Sequence, residues 1–246
     1  MRLKDKVAII TGASSDIGFA TAELMLQEGA TVVFTDIHED ATSPIQALTS
    51  VTKSRYIKAD VANEGEIANL FAETIKVYGH IDVVFANASI RGNKEPCEEL
   101  LLEDWQQMVD VNLTGIFLTN KYALKYMLPQ GSGAIINNAT ALGCVGQIGH
   151  TVYPATKGGI INLTRSLGIT YAAKGIRINA VCPGYISSHT LDYMTPELKA
   201  DLVKLHPIGR LGKAEEIAKA VLFLASEDAS FIVGTSLLVD GGYTAQ

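Results

Sequence analysis

The sequence predicts an α/β fold, a doubly wound, seven-stranded parallel sheet with helices on both faces, in one domain over residues 1–246. Three observations carry that reading. Short apolar, β-branched runs alternate with longer stretches whose apolar residues recur every three or four positions, the pattern of βαβ units. The first run, Val7 to Thr11, leads through the glycine-bearing turn Thr11-Gly12-Ala13-Ser14-Ser15-Asp16-Ile17-Gly18 straight into a helical pattern. No repeat or low-complexity linker breaks the alternation, and 246 residues at 48% hydrophobic content can bury one large core.

The strands are expected at Val7 to Thr11, Thr31 to Asp36, Arg55 to Lys58, Ile81 to Ala86, Gly133 to Asn138, Ile176 to Cys182 and Ser236 to Val239. Between them, helices are expected near Ile17 to Glu28, Glu64 to Tyr78, Glu103 to Leu128, Thr151 to Lys174 and Ala214 to Ser226. One interval, about Gly184 to Gly209, reads as irregular because it holds Pro196 and Pro207. It follows the sixth strand, where an open α/β sheet binds its ligands, so it is expected to act as a lid.

Composition narrows the function. A formal net charge of −6, with no cluster of Lys and Arg, argues against a nucleic-acid surface and for a small-molecule substrate. Cys97, Cys144 and Cys182 have neither CxxC nor His-rich surroundings, so they read as packing residues in a reducing compartment, with no metal site. The N-terminus shows no signal-peptide core, and no apolar run approaches the length of a membrane span. A cytoplasmic protein is the expectation.

The turn after the first strand presents backbone amides at a helix N-terminus, an arrangement that attracts phosphate. Its glycines are only Gly12 and Gly18, so the full G-x-G-x-x-G pattern is absent and an ordinary strand–helix turn fits it as well. Asp36 stands at the end of the second strand, where a carboxylate accepts hydrogen bonds from both hydroxyls of an adenosine ribose. Against a 2′-phosphate it would repel by roughly 1 to 3 kcal/mol, which favours NAD over NADP. Read alone, Asp36 is equally a loop cap.

Tyr153 and Lys157 lie four residues apart, on one face of a helix, and the hydroxyl residue Thr140 precedes the tyrosine by thirteen positions. An ammonium beside a phenol stabilises the phenolate and leaves the tyrosine able to pass a proton, as alcohol oxidation and ketone reduction require. With nine tyrosines in the chain, chance supplies about 0.5 such pairs, so the spacing gains weight only from its setting.

That setting resembles the short-chain dehydrogenase/reductase family across essentially the whole chain. The family's T-G-x-x-x-G-x-G is similar to Thr11 to Gly18. Its N-N-A-G is similar to Ala86-Asn87-Ala88-Ser89, its helix asparagine to Asn112, and its N-x-S-S to Asn137-Asn138-Ala139-Thr140. Tyr153 to Lys157 matches Y-x-x-x-K, Pro183-Gly184 matches P-G, and Asp240-Gly241-Gly242 matches D-G-G. The resemblance implies a single-domain Rossmann fold and an oxidoreductase passing hydride between NAD(H) and a secondary alcohol or ketone.

It also implies a tetrad. Tyr153 would be the general acid/base, Thr140 would bind the substrate oxygen, and Lys157 would hold the nicotinamide ribose and lower the tyrosine pKa. Asn112 would position a water joining Lys157 to solvent. Moving a tyrosine from about 10 to about 7 takes roughly 4 kcal/mol. An ammonium about 5 Å away at an effective dielectric of 20 supplies about 3. The cofactor would lie against Gly12, Ser14, Ser15, Asp16, Ile17, Gly18, Asp36, Asp60, Val61, Asn87, Pro183, Gly184, Ile186 and Ser188, besides Tyr153 and Lys157.

For the substrate, the expected contacts are Gln147, His150, Tyr185 and Arg91, with Asn93: a polar lining that suits a polyol, sugar or hydroxyketone, whereas Tyr185, Leu191, Tyr193 and Met194 in the lid equally suit an apolar ketone or steroid. Family members form homotetramers through helices matching Glu103 to Leu128 and Thr151 to Lys174. Gly158, Gly159, Ile161 and Leu163 are compatible with such a contact, and equally with core packing.

Three departures from the family pattern matter, the second shared by Ser89 and by Ala86, which replaces the first asparagine of N-N-A-G. Asp16 replaces a glycine and brings a negative charge toward the phosphates, which implies weaker NAD binding than in a glycine-bearing relative. Ser89 replaces the last glycine of N-N-A-G, and Thr140 stands for serine. Two rivals remain at this stage: a 3-oxoacyl-carrier-protein reductase using NADPH, suggested by His206-Pro207-Ile208-Gly209-Arg210, and a non-catalytic dinucleotide-binding scaffold, suggested by Asp16.

Overall fold

The computed structural model describes residues 1–38, 41–92, 95–187 and 194–246. Seven parallel strands form one sheet: β1 (Val7–Thr11), β2 (Thr31–Thr35), β3 (Arg55–Tyr56), β4 (Val83–Ala86), β5 (Gly133–Asn138), β6 (Ile176–Pro183) and β7 (Ser236–Val239). They run in the order 3-2-1-4-5-6-7, all parallel. The chain winds outward from β1 to one edge, returns, and builds the other half from β4 onward. The crevice above β1 and β4 is therefore the topological switch point.

Alternation along each strand fills both faces. Ala8 and Ile10 of β1, Val83 and Phe85 of β4, and Ala134 and Ile136 of β5 pack under α1 (Asp16–Gln27) and α8 (Ala214–Ala225). Their neighbours Ile9, Val84 and Ile135 face the other way, toward α3 (Glu64–Tyr78) and the helix running to Gln130. Burial on both faces explains why these strands read as continuous apolar runs.

Two helices escape the sequence pattern, α2 (Ser43–Val51) and α7 (Pro196–Lys204). Each carries proline in its first turn. Pro196 starts α7, capped by the Thr195 hydroxyl, which accepts from the Leu198 amide at 3.3 Å; a proline read as a breaker here opens a helix. The interval expected to be irregular from Gly184 to Gly209 is thus helical over α7, and 188–193 of it lies outside the described residues.

The helix expected over Glu103 to Leu128 is in fact three pieces. α4 (Leu102–Val109) passes into a π-turn over Asp110–Thr114 and then α5 (Gly115–Gln130). The wide turn buries Asn112 completely, and π-turns of this kind gather at functional sites. α6 (Val152–Tyr171) carries Tyr153 and Lys157. Gly158 and Gly159 of α6 are taken up inside the chain, against the Gly143 carbonyl at 3.4 Å and the Leu113 side chain at 3.2 Å for an added Cβ, and Ile161 is in the core. Among the described residues no helix is long and apolar enough to cross a membrane.

Candidate active site

The carboxyl ends of the strands surround a cavity of about 680 Å³. Its walls come from the turn after β1 (Gly12, Ser14 to Ile17), the end of β2 (Asp36 to His38), the segment after β3 (Ala59 to Val61), the segment after β4 (Asn87 to Arg91), the end of β5 (Asn138 to Thr140), Tyr153 of α6, and Pro183, Gly184 and Ile186 after β6.

The β1 turn is held by hydrogen bonds that leave no room for side chains. Gly12 has φ +63°, and an added Cβ would sit 2.7 Å from the Ala88 backbone. At Gly18 an added Cβ would come within 2.3 Å of the Gly12 carbonyl. Gly18 underlies the turn without lining the cavity. Asn87, buried at the end of β4, donates its Nδ2 to the carbonyls of Thr11 and Gly12, each at 3.0 Å, and to Ser15 Oγ at 3.1 Å. Ser15 caps α1, accepting from the Gly18 amide. The result is a cradle with backbone close to the cavity at a helix N-terminus, the fit that a dinucleotide's phosphates require.

Asp36 sits at the rim of this cradle with its side chain 14% exposed. Its two oxygens accept from the Ser14 amide at 2.9 Å and the Ile37 amide at 2.8 Å, so the carboxylate cannot swing away. Asp16 is the first residue of α1 and lines the cavity, so the expectation of a negative charge beside the phosphate cradle keeps its geometric basis. Asp60 accepts from the Ala62 amide at 2.9 Å, closing a turn that brings Val61 to the wall.

At the other end stand Thr140, Tyr153 and Lys157. Gly143 lets the loop carrying Thr140 pass against α6, since a Cβ there would lie 2.9 Å from the Lys157 backbone. Thr140 Oγ1 donates to the Pro183 carbonyl at 3.1 Å. Lys157 Nζ donates to the Asn138 carbonyl at 2.8 Å and lies 5.5 Å from the centre of the Tyr153 ring. Asn138 in turn donates from Nδ2 to Asn87 Oδ1 at 2.8 Å, so one chain of hydrogen bonds runs from Lys157 to the glycine turn. Asn138 Oδ1 is buried and finds no hydrogen-bond partner among the described residues.

The electrostatics differ from the sequence expectation. Burial pushes the Tyr153 phenol above its ordinary value, and the opposing cation is Arg91, through its charge and a hydrogen bond, not Lys157. Lys157 is itself lowered to about 7, first by burial and then by repulsion from Arg91. A lysine fully enclosed next to an arginine holds its proton weakly, and its ammonium addresses the face of the tyrosine ring and a carbonyl. The cation expected to set the tyrosine is therefore not the one nearest in effect.

Asn112 is buried in the π-turn. Its side chain is spent on the backbone of Ile90, Oδ1 accepting from the Ile90 amide at 2.8 Å and Nδ2 donating to the Ile90 carbonyl at 2.9 Å. It fixes the segment after β4 instead of reaching toward Lys157.

Of the residues expected to touch substrate, Arg91 alone lines the main cavity. His150 lines a smaller one of about 210 Å³ that Arg91, Ile90 and Tyr153 also border. The Tyr185 hydroxyl donates to Gln147 Oε1 at 2.7 Å, tying the loop after β5 to the loop after β6. Asn93, Ser188, Leu191 and Tyr193 lie outside the described residues, and Met194 is exposed. Sequence reasoning missed His206 as well. Buried after α7, it accepts the Tyr185 amide on Nε2 at 3.1 Å and donates Nδ1–H to the Leu202 carbonyl at 2.8 Å, holding the turn at Gly184. Gly184 itself must be glycine, since a Cβ would lie 2.8 Å from that imidazole. The only hint of it in the sequence is a histidine beside Pro207.

Known proteins match this arrangement over its full length. A family model described as enoyl-(acyl carrier protein) reductase matches residues 12–244. The chain is 44% identical to cis-4-hydroxycyclohexanecarboxylate dehydrogenase of Sinomonas cyclohexanicum, over 98% of this chain and 97% of that one. It is 39% identical to cyclohexanol dehydrogenase of Acinetobacter sp. (strain SE19), over 100% and 97%. Among solved structures, levodione reductase superposes with a TM-score of 0.91 at 33% identity, covering 99% of each chain. Sheet order, glycine turn and sequence together place this chain in the short-chain dehydrogenase/reductase family, as an oxidoreductase of CH–OH groups that works with a nicotinamide dinucleotide.

Proposed function

We propose that the protein is an NAD-dependent dehydrogenase of cyclic secondary alcohols, also able to run as the ketone reductase, with Tyr153 as general acid/base. The observation that carries the cofactor choice is the pinned carboxylate of Asp36 at the rim of the phosphate cradle. The ring-alcohol preference rests on relatives named for cyclohexanol and hydroxycyclohexanecarboxylate.

Gly12 and the amides of Ser14 to Ile17 would hold the diphosphate, with Gly18 beneath them. Asp36 would take the adenosine ribose and Asp60, Val61 and Asn87 the adenine side. Pro183, Gly184 and Ile186, with Ser188, would take the carboxamide end, and Lys157 the nicotinamide ribose. When bound, the nicotinamide supplies the hydride acceptor for oxidation or the donor for reduction.

The chain supplies the proton chemistry. Tyr153 Oη takes the hydroxyl proton as the carbinol carbon is oxidised and returns it to the carbonyl oxygen in reduction. Thr140 Oγ1, now donating to the Pro183 carbonyl, would turn its O–H to the substrate oxygen and stabilise the charge that develops there as Tyr153 takes the proton. Arg91 places positive charge beside the phenol and favours the phenolate that oxidation needs, and Lys157 Nζ lies 5.5 Å from the centre of the ring.

Segment 184–209, with α7, is proposed as the lid, hinged at the Gly184 turn that His206 holds. The protein is proposed to act in the cytoplasm as a homotetramer. Exposed Leu101 and Leu102 beside α4, Phe117 on α5 and Ile169 on α6 support that assembly. Light scattering of the purified protein tests it. A panel of cyclic and open-chain secondary alcohols with NAD⁺, read by absorbance of NADH, tests the activity. Turnover of cyclohexanol with NAD⁺ is expected, and turnover of none of the panel would overturn the reading.

A further inference from the structure

Arg91 is the one arginine on the wall of the main cavity, and it borders the smaller cavity too, with Tyr153 and Ile90 common to both. Its position is prepared by the fold. Ile90, the residue before it, has both its amide and its carbonyl clamped by the fully buried Asn112 in the π-turn. A wide helical turn and a buried amide are thus committed to fixing the point from which the Arg91 side chain leaves. Arg91 is exposed to solvent and forms no ion pair with any described carboxylate, although Glu95 and Asp104 border the smaller cavity with it.

The acidic and basic groups of the main cavity separate by end. Among the described residues Asp16, Asp36 and Asp60, with His38 beside Asp36, lie on the side of the phosphate cradle, and Arg91 lies with Tyr153 on the side where substrate must react. Tyr185, close to Tyr153, is neutral and bonded to Gln147, and Glu95 and Asp104 border the smaller cavity without pairing with Arg91. A permanently charged fork of five N–H donors, without a carboxylate partner, beside the general acid/base, is complementary to a planar anion carried by the substrate.

We infer that Arg91 binds a carboxylate on the substrate, so that the preferred substrates are ring alcohols carrying an acidic group rather than neutral ones. This rests on the alcohol-dehydrogenase reading above and narrows its substrate class. The hydroxyl would address Tyr153 and Thr140, while the carboxylate, across the ring, meets the guanidinium. The ring holds the two groups at fixed separation, so the charged contact also orients the carbinol carbon.

The test uses three probes with NAD⁺: 4-hydroxycyclohexanecarboxylate, its methyl ester and cyclohexanol. In the wild-type enzyme kcat/KM for the acid is expected to exceed that for the ester by about 10- to 100-fold, the range of one charged hydrogen-bonded contact. In Arg91→Gln that acid-to-ester ratio is expected to collapse toward one, mainly through KM, and Arg91→Lys is expected to restore part of it. Salt should weaken the acid's KM more than the ester's.

Equal turnover of acid and ester by the wild type overturns the inference and leaves the alcohol-dehydrogenase reading standing. A ratio that survives in Arg91→Gln overturns the assignment to Arg91. A pH profile displaced alike for acid and ester in that variant, with the ratio intact, shows the guanidinium acting through Tyr153 and also overturns it. Turnover of none of the three probes overturns the inference together with the reading beneath it.

Discussion

Replacing Asp36 by asparagine isolates the residue on which the cofactor proposal turns. Both carboxylate oxygens are fixed by backbone amides, at 2.9 Å from Ser14 and 2.8 Å from Ile37, and the side chain is 14% exposed, so a 2′-phosphate arriving there would meet a charge that cannot retreat. One unit charge about 5 Å from another repels by about 3 kcal/mol at an effective dielectric of 20, and about half that in a wetter rim. Removing it should raise the NADP⁺ to NAD⁺ ratio of kcat/KM by about 10- to 150-fold. NAD⁺ itself should lose about 10-fold or more, because a neutral amide binds the ribose hydroxyls less strongly than a carboxylate does. Asparagine keeps one oxygen for the Ser14 amide, so the turn should survive at a cost of about 1 kcal/mol in stability. Initial rates with one alcohol and both cofactors give the ratio. A wild type that uses NADP⁺ as well as NAD⁺, or a ratio unmoved in Asp36→Asn, would refute the reasoning.

Three further outcomes follow from the geometry. Asp16→Gly removes a negative charge from the cavity wall at the N-terminus of α1, and its NADH dissociation constant, by fluorescence titration, should fall about 3- to 10-fold; an unchanged or weaker value would show that the charge is already screened. Thr140→Ser should keep at least about a tenth of the activity, whereas Thr140→Val, which fills the space without a hydroxyl, should lose about 100-fold or more, the scale of one general-acid or hydrogen-bonding group. Lys157 holds its proton to about pH 7 in the folded chain against 10.5 for a free lysine. The unfolded chain thus binds more protons between those values, and the Lys157 contribution to stability rises with pH across that window and is smallest below it. The melting temperature of Lys157→Met minus that of wild type should accordingly be more positive at pH 6 than at pH 9; the opposite trend would contradict a desolvated lysine.

The sheet was legible because a strand buried on both faces must be apolar throughout, and β1 and β5 fall at the limits expected from that pattern, as does the half-exposed edge strand β7. β3 contracts to Arg55–Tyr56 at the sheet edge, where the apolar pattern outlasts the pairing. What escaped was set by proline and by turns of unusual width. Pro44 and Pro196 open helices where proline alone reads as a break, and the π-turn at Asp110–Thr114 leaves the apolar period almost untouched while re-aiming Asn112.

In the site, Gly12, Asp36, Asn87, Thr140 and Tyr153 were visible as types at strand ends, and the structure gathers them around one cavity. The direction of each hydrogen bond was not visible. Asn138 joining Lys157 to Asn87, and His206 supporting the Gly184 turn, depend on packing between segments far apart in the chain. The influence of Arg91 on Tyr153, second to burial, has the same origin, since Arg91 follows Ile90, which Asn112 clamps.

The central claim is that Tyr153 carries the proton in alcohol oxidation. Tyr153→Phe removes one oxygen, keeps the ring beside Lys157, and should leave NADH binding close to wild type. Its kcat for cyclohexanol oxidation with NAD⁺ should fall by about 100- to 10,000-fold, the contribution of a positioned general base. Turnover within a few-fold of the wild type, with cofactor binding intact, would contradict the account.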